Sequence, residues 1–477
     1  MTMEEPLSPA EQGAIKRLRA AYTDASRIEW QFSASDVIEA VPTRSGSRRR
    51  YGGSLRQWRR WGHRFGVVLV AAAILVVFFV PLPHLSLFKR LVSSPNPSPA
   101  TSGSRTLPIG TRLAELRGSD TVAGDNFGAA VAVAGNTAVV GAFDHDDNDA
   151  GRAYVFSKTT GGWEQIAELK GSDTVAGDNF GVAVAISGAT IVVGASSHDS
   201  TSAGRAYVFT KTASGWKQVA ELSSPGTSLA HISVAISGTT IVVGWNYPNT
   251  PVSGPLLPGV ACVYTNTATG WRRTAVLGGS NTTSFGYSVA VSGSTILVGE
   301  ISAPPADPVG RAYVFNKTAT GWRQSALLNS PDAANAFSFG FSTAISGSTA
   351  LVGSDGTAPV YVFTKTAIGW RNAADLKGSD IVTGDGFGST LAISGATAIV
   401  GASESADDAG RAYFFKRTAN GWRQIADPKG KVGGGYFGFS VAISGTTAVV
   451  GSVPTSGDAS LGVSFPVSPG RAYLFRA

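Results

Sequence analysis

With one cysteine, Cys262, in 477 residues, the chain can form no intrachain disulfide, and packing and hydrogen bonds must hold its fold. Histidine is scarce too. His63 and His84 flank an apolar run, and His145, His198 and His231 fall in three separate stretches, so no zinc-type ligand spacing exists. No P-loop, H-E-x-x-H or nucleophile-elbow string occurs, and the chain reads as a binding protein rather than an enzyme. The net charge of +7 is unevenly placed. Residues 1–90 carry 14 Lys/Arg against 7 Asp/Glu, whereas residues 91–477 carry 25 of each. Lacking a positive surplus, the larger part has no footprint of a nucleic-acid partner.

What is present begins with residues 66–80, GVVLVAAAILVVFFV, which hold no charge. Residues 65–88 are long enough to cross a bilayer as one tilted helix. Eight arginines from Arg44 to Arg64 precede the run and only Lys89 and Arg90 follow it. The positive-inside rule then puts residues 1–64 in the cytoplasm and the C-terminus outside. A cleaved signal peptide would not have some sixty residues before its apolar core, and a buried core helix would show a polar face. Residues 1–64 read as a cytoplasmic tail, partly helical or disordered, with a capping box at Ser8-Pro9-Ala10-Glu11. Residues 89–110 form a Pro/Ser linker.

After residue 110 one module of about fifty residues is written seven times. Phe-Gly stands at Phe127, Phe180, Phe285, Phe339, Phe387 and Phe437, with Ala230-His231 in the third slot. Fourteen residues after each comes the glycine of a Val-Val-Gly-like run: Gly141, Gly194, Gly244, Gly299, Gly353, Gly401 and Gly451. A Gly-Arg-Ala-Tyr-Val-Phe string and a Gly-Trp strand follow. Cys262 takes the place of Tyr154 and Tyr207, which marks it as a buried, inert thiol. Each module offers four strand-like pieces; in the second these are residues 180–186, 190–194, 205–209 and 216–222. Four antiparallel strands make a propeller blade. The seventh module lacks its fourth strand, and residues 111–117 match one without a module. The spacing therefore predicts an all-β, seven-bladed propeller over residues 111–477, with the N-terminal strand closing the seventh blade.

These modules resemble FG-GAP repeats, those of the integrin α-subunit β-propeller, in a short bacterial form. The resemblance implies a propeller fold and a ligand-binding role. It stops short of the family's calcium sites, which need a D-x-D-x-D-G-x-x-D loop between the first two strands. Here a Ser-Gly-x-Thr turn occupies that place.

Strand direction sorts the connections onto two faces. One carries uniform turns. The other collects the interblade loops and the second-to-third connections, which span 10, 10, 15, 11, 5, 9 and 19 residues. Variable loops on a rigid scaffold are where binding usually resides. In the 245–258 connection Trp245, Tyr247, Leu256 and Leu257 are candidate ligand contacts, with folding back onto the blade as the alternative. Asp144, Asp146, Asp147 and Asp149 crowd another loop. They have the carboxylate density calcium wants, with a solvated acidic loop as the alternative. Asp120 and Asp125, Asp173 and Asp178, and Asp380 and Asp385 are expected to brace the interblade turns, and the recurrent Arg152, Arg205, Arg311, Arg411 and Arg471 to reach such Asp residues. The leading reading is a membrane-anchored extracytoplasmic scaffold for a protein or glycan. A sensor signalling to residues 1–64 and an envelope enzyme are the alternatives. Nothing in the sequence fixes the oligomeric state.

Overall fold

The structure, a computed structural model, describes residues 107–477 apart from 146–148, 199–203, 224, 226–230, 247–257, 280–283, 302–308, 333–337, 355–358, 406–408, 432–434 and 455–467. The tail, the apolar run and most of the linker lie outside the described residues. Among the described residues no helix is long and apolar enough to cross a membrane. Gly103–Ala477 forms a compact unit by itself.

That unit is seven four-stranded antiparallel sheets, all built alike. In the first blade the strands are Ala130–Ala134, Thr137–Ala142, Arg152–Thr159 and Gly162–Leu169, paired in that order. The first strands of successive blades adjoin one another around the complete circle, so they line the axis. The seventh blade consists of Tyr436–Ser444, Thr447–Val453 and Arg471–Arg476, with Arg112–Leu116 as its outer strand. Leu116 pairs with Ala472 and Glu115 with Tyr473, so the predicted closure is present. In the second blade the first strand is Ala183–Ser187 rather than 180–186. Gly181 has φ +102°, and the ladder starts only at Ala183 opposite Gly194.

The turns explain their sequences. Gly188 in the first-to-second hairpin has φ +57°, a conformation glycine adopts without penalty. In six blades a serine ending the first strand accepts the N–H of a glycine in the next hairpin, as Ser187 does from Gly238 at 3.0 Å. Ala134 breaks this ring once. In the third-to-fourth hairpins a threonine hydroxyl donates to a glycine carbonyl, Thr212 to Gly215 at 2.8 Å for example.

The Phe-Gly and Val-Gly positions are two sides of one contact. Within a blade, Gly128 N–H donates to the Gly141 carbonyl at 2.9 Å, which fixes the fourteen-residue offset through the hairpin register. Between blades, the Gly181 carbonyl lies where a Cβ on Gly141 would be, and Gly286, Gly340, Gly388, Gly438 and Gly128 press in the same way on Gly244, Gly299, Gly353, Gly401 and Gly451. The phenylalanine beside each glycine is buried, edge-on to the Phe and edge-on or tilted to the Tyr of the third strand. Phe127 lies 5.5 Å from Tyr154 and 6.2 Å from Phe156, centroid to centroid. Because the obstacle at Gly141 is backbone, Gly141→Ala is expected to destabilise by about 3 kcal/mol or more. Gly194→Ala faces only the side chains of Ile232 and Ala183, at 3.2–3.3 Å, and is expected to be much milder. Urea midpoints of the two variants check this, and equal losses would refute the backbone contact as the reason for the glycine.

The third blade is the exception that Ala230-His231 announced. Its first strand, His231–Ser237, pairs regularly from its first residue, and Ile232 reaches Gly194. With no phenylalanine at the slot and Cys262 in place of tyrosine, room opens in the core. Trp245 fills it. The residue after the Val-Gly glycine is alanine, serine or glutamate elsewhere, but here it is a tryptophan with no exposed surface, packed with Ile232, Cys262 and Tyr264. Trp245 therefore does not stand in the loop as a displayed ligand contact. The second strand, Thr240–Asn246, runs on through it. Tyr247, Leu256 and Leu257 lie outside the described residues. Burial also raises the Cys262 thiol pKa, as expected of an inert thiol.

Candidate functional site

The loop-rich face gathers the interblade loops and the second-to-third connections, and the first two blades show how. The Asp125 carboxylate accepts the Val122 N–H at 2.7 Å, closing the interblade turn; Asp178 and Asp385 do the same for Val175 and Val382. Asp120 takes a different partner, accepting the Tyr154 hydroxyl at 2.8 Å, as Asp380 accepts that of Tyr413 at 2.9 Å. Burial and the Asp380 bond together push the Tyr413 phenol up to about 12.

Between Asp120 and Asp125 sits His145, with Nδ1 2.7 Å from Asp125 and Nε2 3.7 Å from Asp120. His198 is set between Asp173 and Asp178 in the same manner, at 3.5 and 3.4 Å. Both imidazoles are buried. The sixth blade has Ser405 at this place, bonded to the Ala402 carbonyl. A signal for the pairs was available, because Asp120/Asp125/His145 and Asp173/Asp178/His198 have identical spacings.

Asp144 ties adjacent loops together. Its carboxylate accepts from the side-chain amide of Asn126, and more distantly from that of Asn179 at 3.5 Å. Both asparagines have φ +55°, which this residue type tolerates. Burial raises the Asp144 pKa against the bond from Asn126, and the charges of Asp149 and Asp125 raise it further. Asp120, Asp125, Asp144, His145 and Asp149 line one open recess of about 590 Å³, floored by Val122, Ala123 and Gly124. Of the four loop carboxylates, the structure brings Asp144 and Asp149 together here; Asp146 and Asp147 lie outside the described residues. Among the described residues no group of three or more His, Cys, Asp or Glu is disposed to hold a metal ion. The recess is an acidic cup suited to a cationic or hydrogen-bond-donating group.

The arginines find carboxylates of two kinds. Arg152 and Arg205 pair with Glu168 and Glu221 on the fourth strand of their own blades, at 2.8 and 2.6 Å, and Arg471 pairs with Glu115. Arg411 reaches Asp380, and that bond holds the carboxyl below its usual range.

A second feature surrounds the axial mouth. His231 stacks on Tyr287 at 4.4 Å with 8° between ring planes, and Tyr287 meets Phe341 at 5.0 Å. Phe439, at the matching place in the seventh blade, is 41% exposed. Burial lowers the His231 pKa to about 4, and its Nδ1 has no hydrogen-bond partner. The unfolded chain takes up this proton below about 6.5 and the folded one only near 4, so stability is expected to fall as pH drops through that window. His231→Gln should flatten this part of the profile. Urea midpoints of both proteins between neutral pH and pH 4 test it, and identical slopes would contradict a neutral imidazole stacked on Tyr287.

Comparison with protein families matches the FG-GAP repeat at residues 111–156, 163–209, 275–315, 370–415 and 428–475. The intervals between these matches include 210–274 and 316–369, which hold most of the third and fifth blades. No curated protein matches the chain. Among solved structures, a chain in "Crystal Structure of Mitotic Checkpoint Complex" aligns with 84% of this chain and 99% of its own length, at 10% identity and a TM-score of 0.48; that likeness carries no functional inference. Five matched repeats, and seven sheets closed by the contacts the repeat encodes, make the chain an FG-GAP repeat protein folded as a seven-bladed β-propeller.

Proposed function

We propose that the chain is a binding scaffold, anchored in a membrane through residues 65–88 and displayed outside the cytoplasm, whose loop-rich face takes a protein or glycan ligand without catalysing a reaction. Propellers of FG-GAP repeats are generally ligand-binding scaffolds. The observation that carries the reading is the acidic recess of the first blade, which lies on the face where all the variation in connection length is found. A ligand entering it would meet Asp144 and Asp149 with a cationic or donor group.

Immobilised glycans, and peptides bearing lysine or arginine, would be screened against residues 103–477 and against the Asp144→Asn/Asp149→Asn variant. A ligand that binds the parent chain and loses about tenfold or more in affinity to the variant is expected, a change of about 1.4 kcal/mol. Binding indifferent to these two carboxylates would move the site away from the recess.

A further inference from the structure

The balanced charge of the propeller conceals a segregation. The described carboxylates discussed above belong to the loop-rich face. At the opposite face the third-to-fourth hairpins carry cations in pairs: Lys317 and Arg323 in the fourth blade, Lys365 and Arg371 in the fifth, Arg417 and Arg423 in the sixth, and a similar pair in the second. All are exposed. Among these hairpins Glu164 of the first blade is the lone carboxylate. None of the named cations has a carboxylate partner among the described residues, in contrast to the paired Arg152, Arg205, Arg411 and Arg471. Unpaired, exposed, like-charged side chains repeated around a rim repel one another. Such a rim is stabilised by a broad negative surface and not by one small anion.

The path of the chain points to the same face. Gly110 N–H donates to the Arg476 carbonyl at 2.7 Å, and Ala477 N–H to that of Thr446, in the first-to-second hairpin of the seventh blade, at 2.9 Å. The chain therefore enters the ring at the hairpin face. Gly110 thus stands at the end of the ring that bears these cations, opposite the acidic recess. The hairpin face is also the stitched one, tied by the Ser–Gly hydrogen bonds between neighbouring blades.

From these observations we infer that the hairpin face of the propeller docks on an anionic lipid surface, leaving the loop-rich face turned away from the bilayer. The inference deepens the proposed function and rests on its membrane reading. The cations act together through the surface potential of the lipid, so the contact weakens as salt shortens the screening length to about 3 Å at about 1 M.

The test uses residues 103–477, a self-contained unit whose ring closes within it and which lacks the apolar run. It is floated with vesicles of phosphatidylcholine alone or mixed with phosphatidylglycerol. Flotation only with the mixed vesicles, and its loss at high salt, is expected. The Lys317→Gln/Arg323→Gln/Lys365→Gln/Arg371→Gln variant should bind about tenfold or more weakly, while the Asp144→Asn/Asp149→Asn variant should bind like the parent. All four cations are exposed, so an unchanged melt is expected of the variant and confirms that it folds. Equal flotation on both vesicle types, undiminished flotation of the four-site variant, or binding to soluble heparin without flotation would each overturn the inference. If flotation fails while the full chain still fractionates with membranes, the docking inference alone is lost. If the full chain leaves the membrane fraction, the anchor reading is lost instead.

Discussion

Removing residues 112–116 is expected to abolish the cooperative melt of the propeller and to cause aggregation. The segment is the outer strand of the seventh blade, so its loss takes away a full ladder against Arg471–Arg476. It also takes away Leu116, which is 2% exposed and packs between the seventh and first blades with Phe127, Tyr154 and Leu474. Burial of one leucine contributes about 2 kcal/mol, and each ladder hydrogen bond about 1 kcal/mol. The sum is on the order of 5 kcal/mol, the lower end of the whole stability of an ordinary domain. Arg112 over the Tyr473 ring, at 4.4 Å, and the Glu115–Arg471 pair at 3.0 Å are lost as well. The deletion leaves Arg471–Arg476 as an unpaired edge, a template for strand addition by other chains. Thermal melts with light scattering check both effects. A peptide of residues 107–117 added in trans should restore part of the transition. A deletion variant that melts like the parent would show that the closing strand contributes nothing.

Trp245→Ala is expected to cost about 3–5 kcal/mol. The side chain has no exposed surface and fills the volume that Phe and Tyr fill in the other blades. Its neighbours belong to strands fixed on both sides, so the site can collapse only partly. Trp245→Phe, which keeps an aromatic ring in the site, should cost less than Trp245→Ala. Adding Cys262→Tyr to Trp245→Ala returns an aromatic to the position it holds elsewhere, and should recover part of the loss. Trp322→Ala, at a half-buried rim position, should be milder than Trp245→Ala. The comparison is made from urea midpoints. A Trp245→Ala variant no weaker than Trp322→Ala would mean that the third blade does not depend on its tryptophan.

The ring, its count and its closure were legible because fixed offsets survive in sequence. The fourteen residues from Phe-Gly to Val-Gly are a hairpin register, and the orphan strand before the first module had one place to go. Strand starts were less legible. Phe180 and Gly181 read as strand because they are apolar and small, yet the positive φ of Gly181 delays the ladder to Ala183. Trp245 read as a loop residue because the second strand was ended at the Val-Gly glycine; only the missing phenylalanine of the same blade tells that a large side chain is needed there. The wide separation of His145 and His198 in sequence hides that each belongs to its own pair of carboxylates. Loop proximity points the arginines to Asp, as Arg411 finds Asp380, but does not show the Glu168 and Glu221 partners that Arg152 and Arg205 have across a strand pair. Charge totals hid most. Twenty-five against twenty-five reads as neutral until topology places a set of cations without carboxylate partners on the hairpin face.

The blade that broke the repeat also gave the protein an internal optical reporter. Trp163, Trp216, Trp271, Trp322, Trp370 and Trp422 are half-buried around the rim, whereas Trp245 is wholly enclosed in the core with Ile232, Cys262 and Tyr264. An indole in such surroundings emits at shorter wavelength than one facing water. In residues 103–477, which leave out Trp30, Trp58 and Trp61, the blue edge of the fluorescence spectrum therefore reports on the third blade, and the red edge on the perimeter. Following both edges through a single denaturant titration would reveal whether the ring opens first at its most irregular sector or loses all seven together.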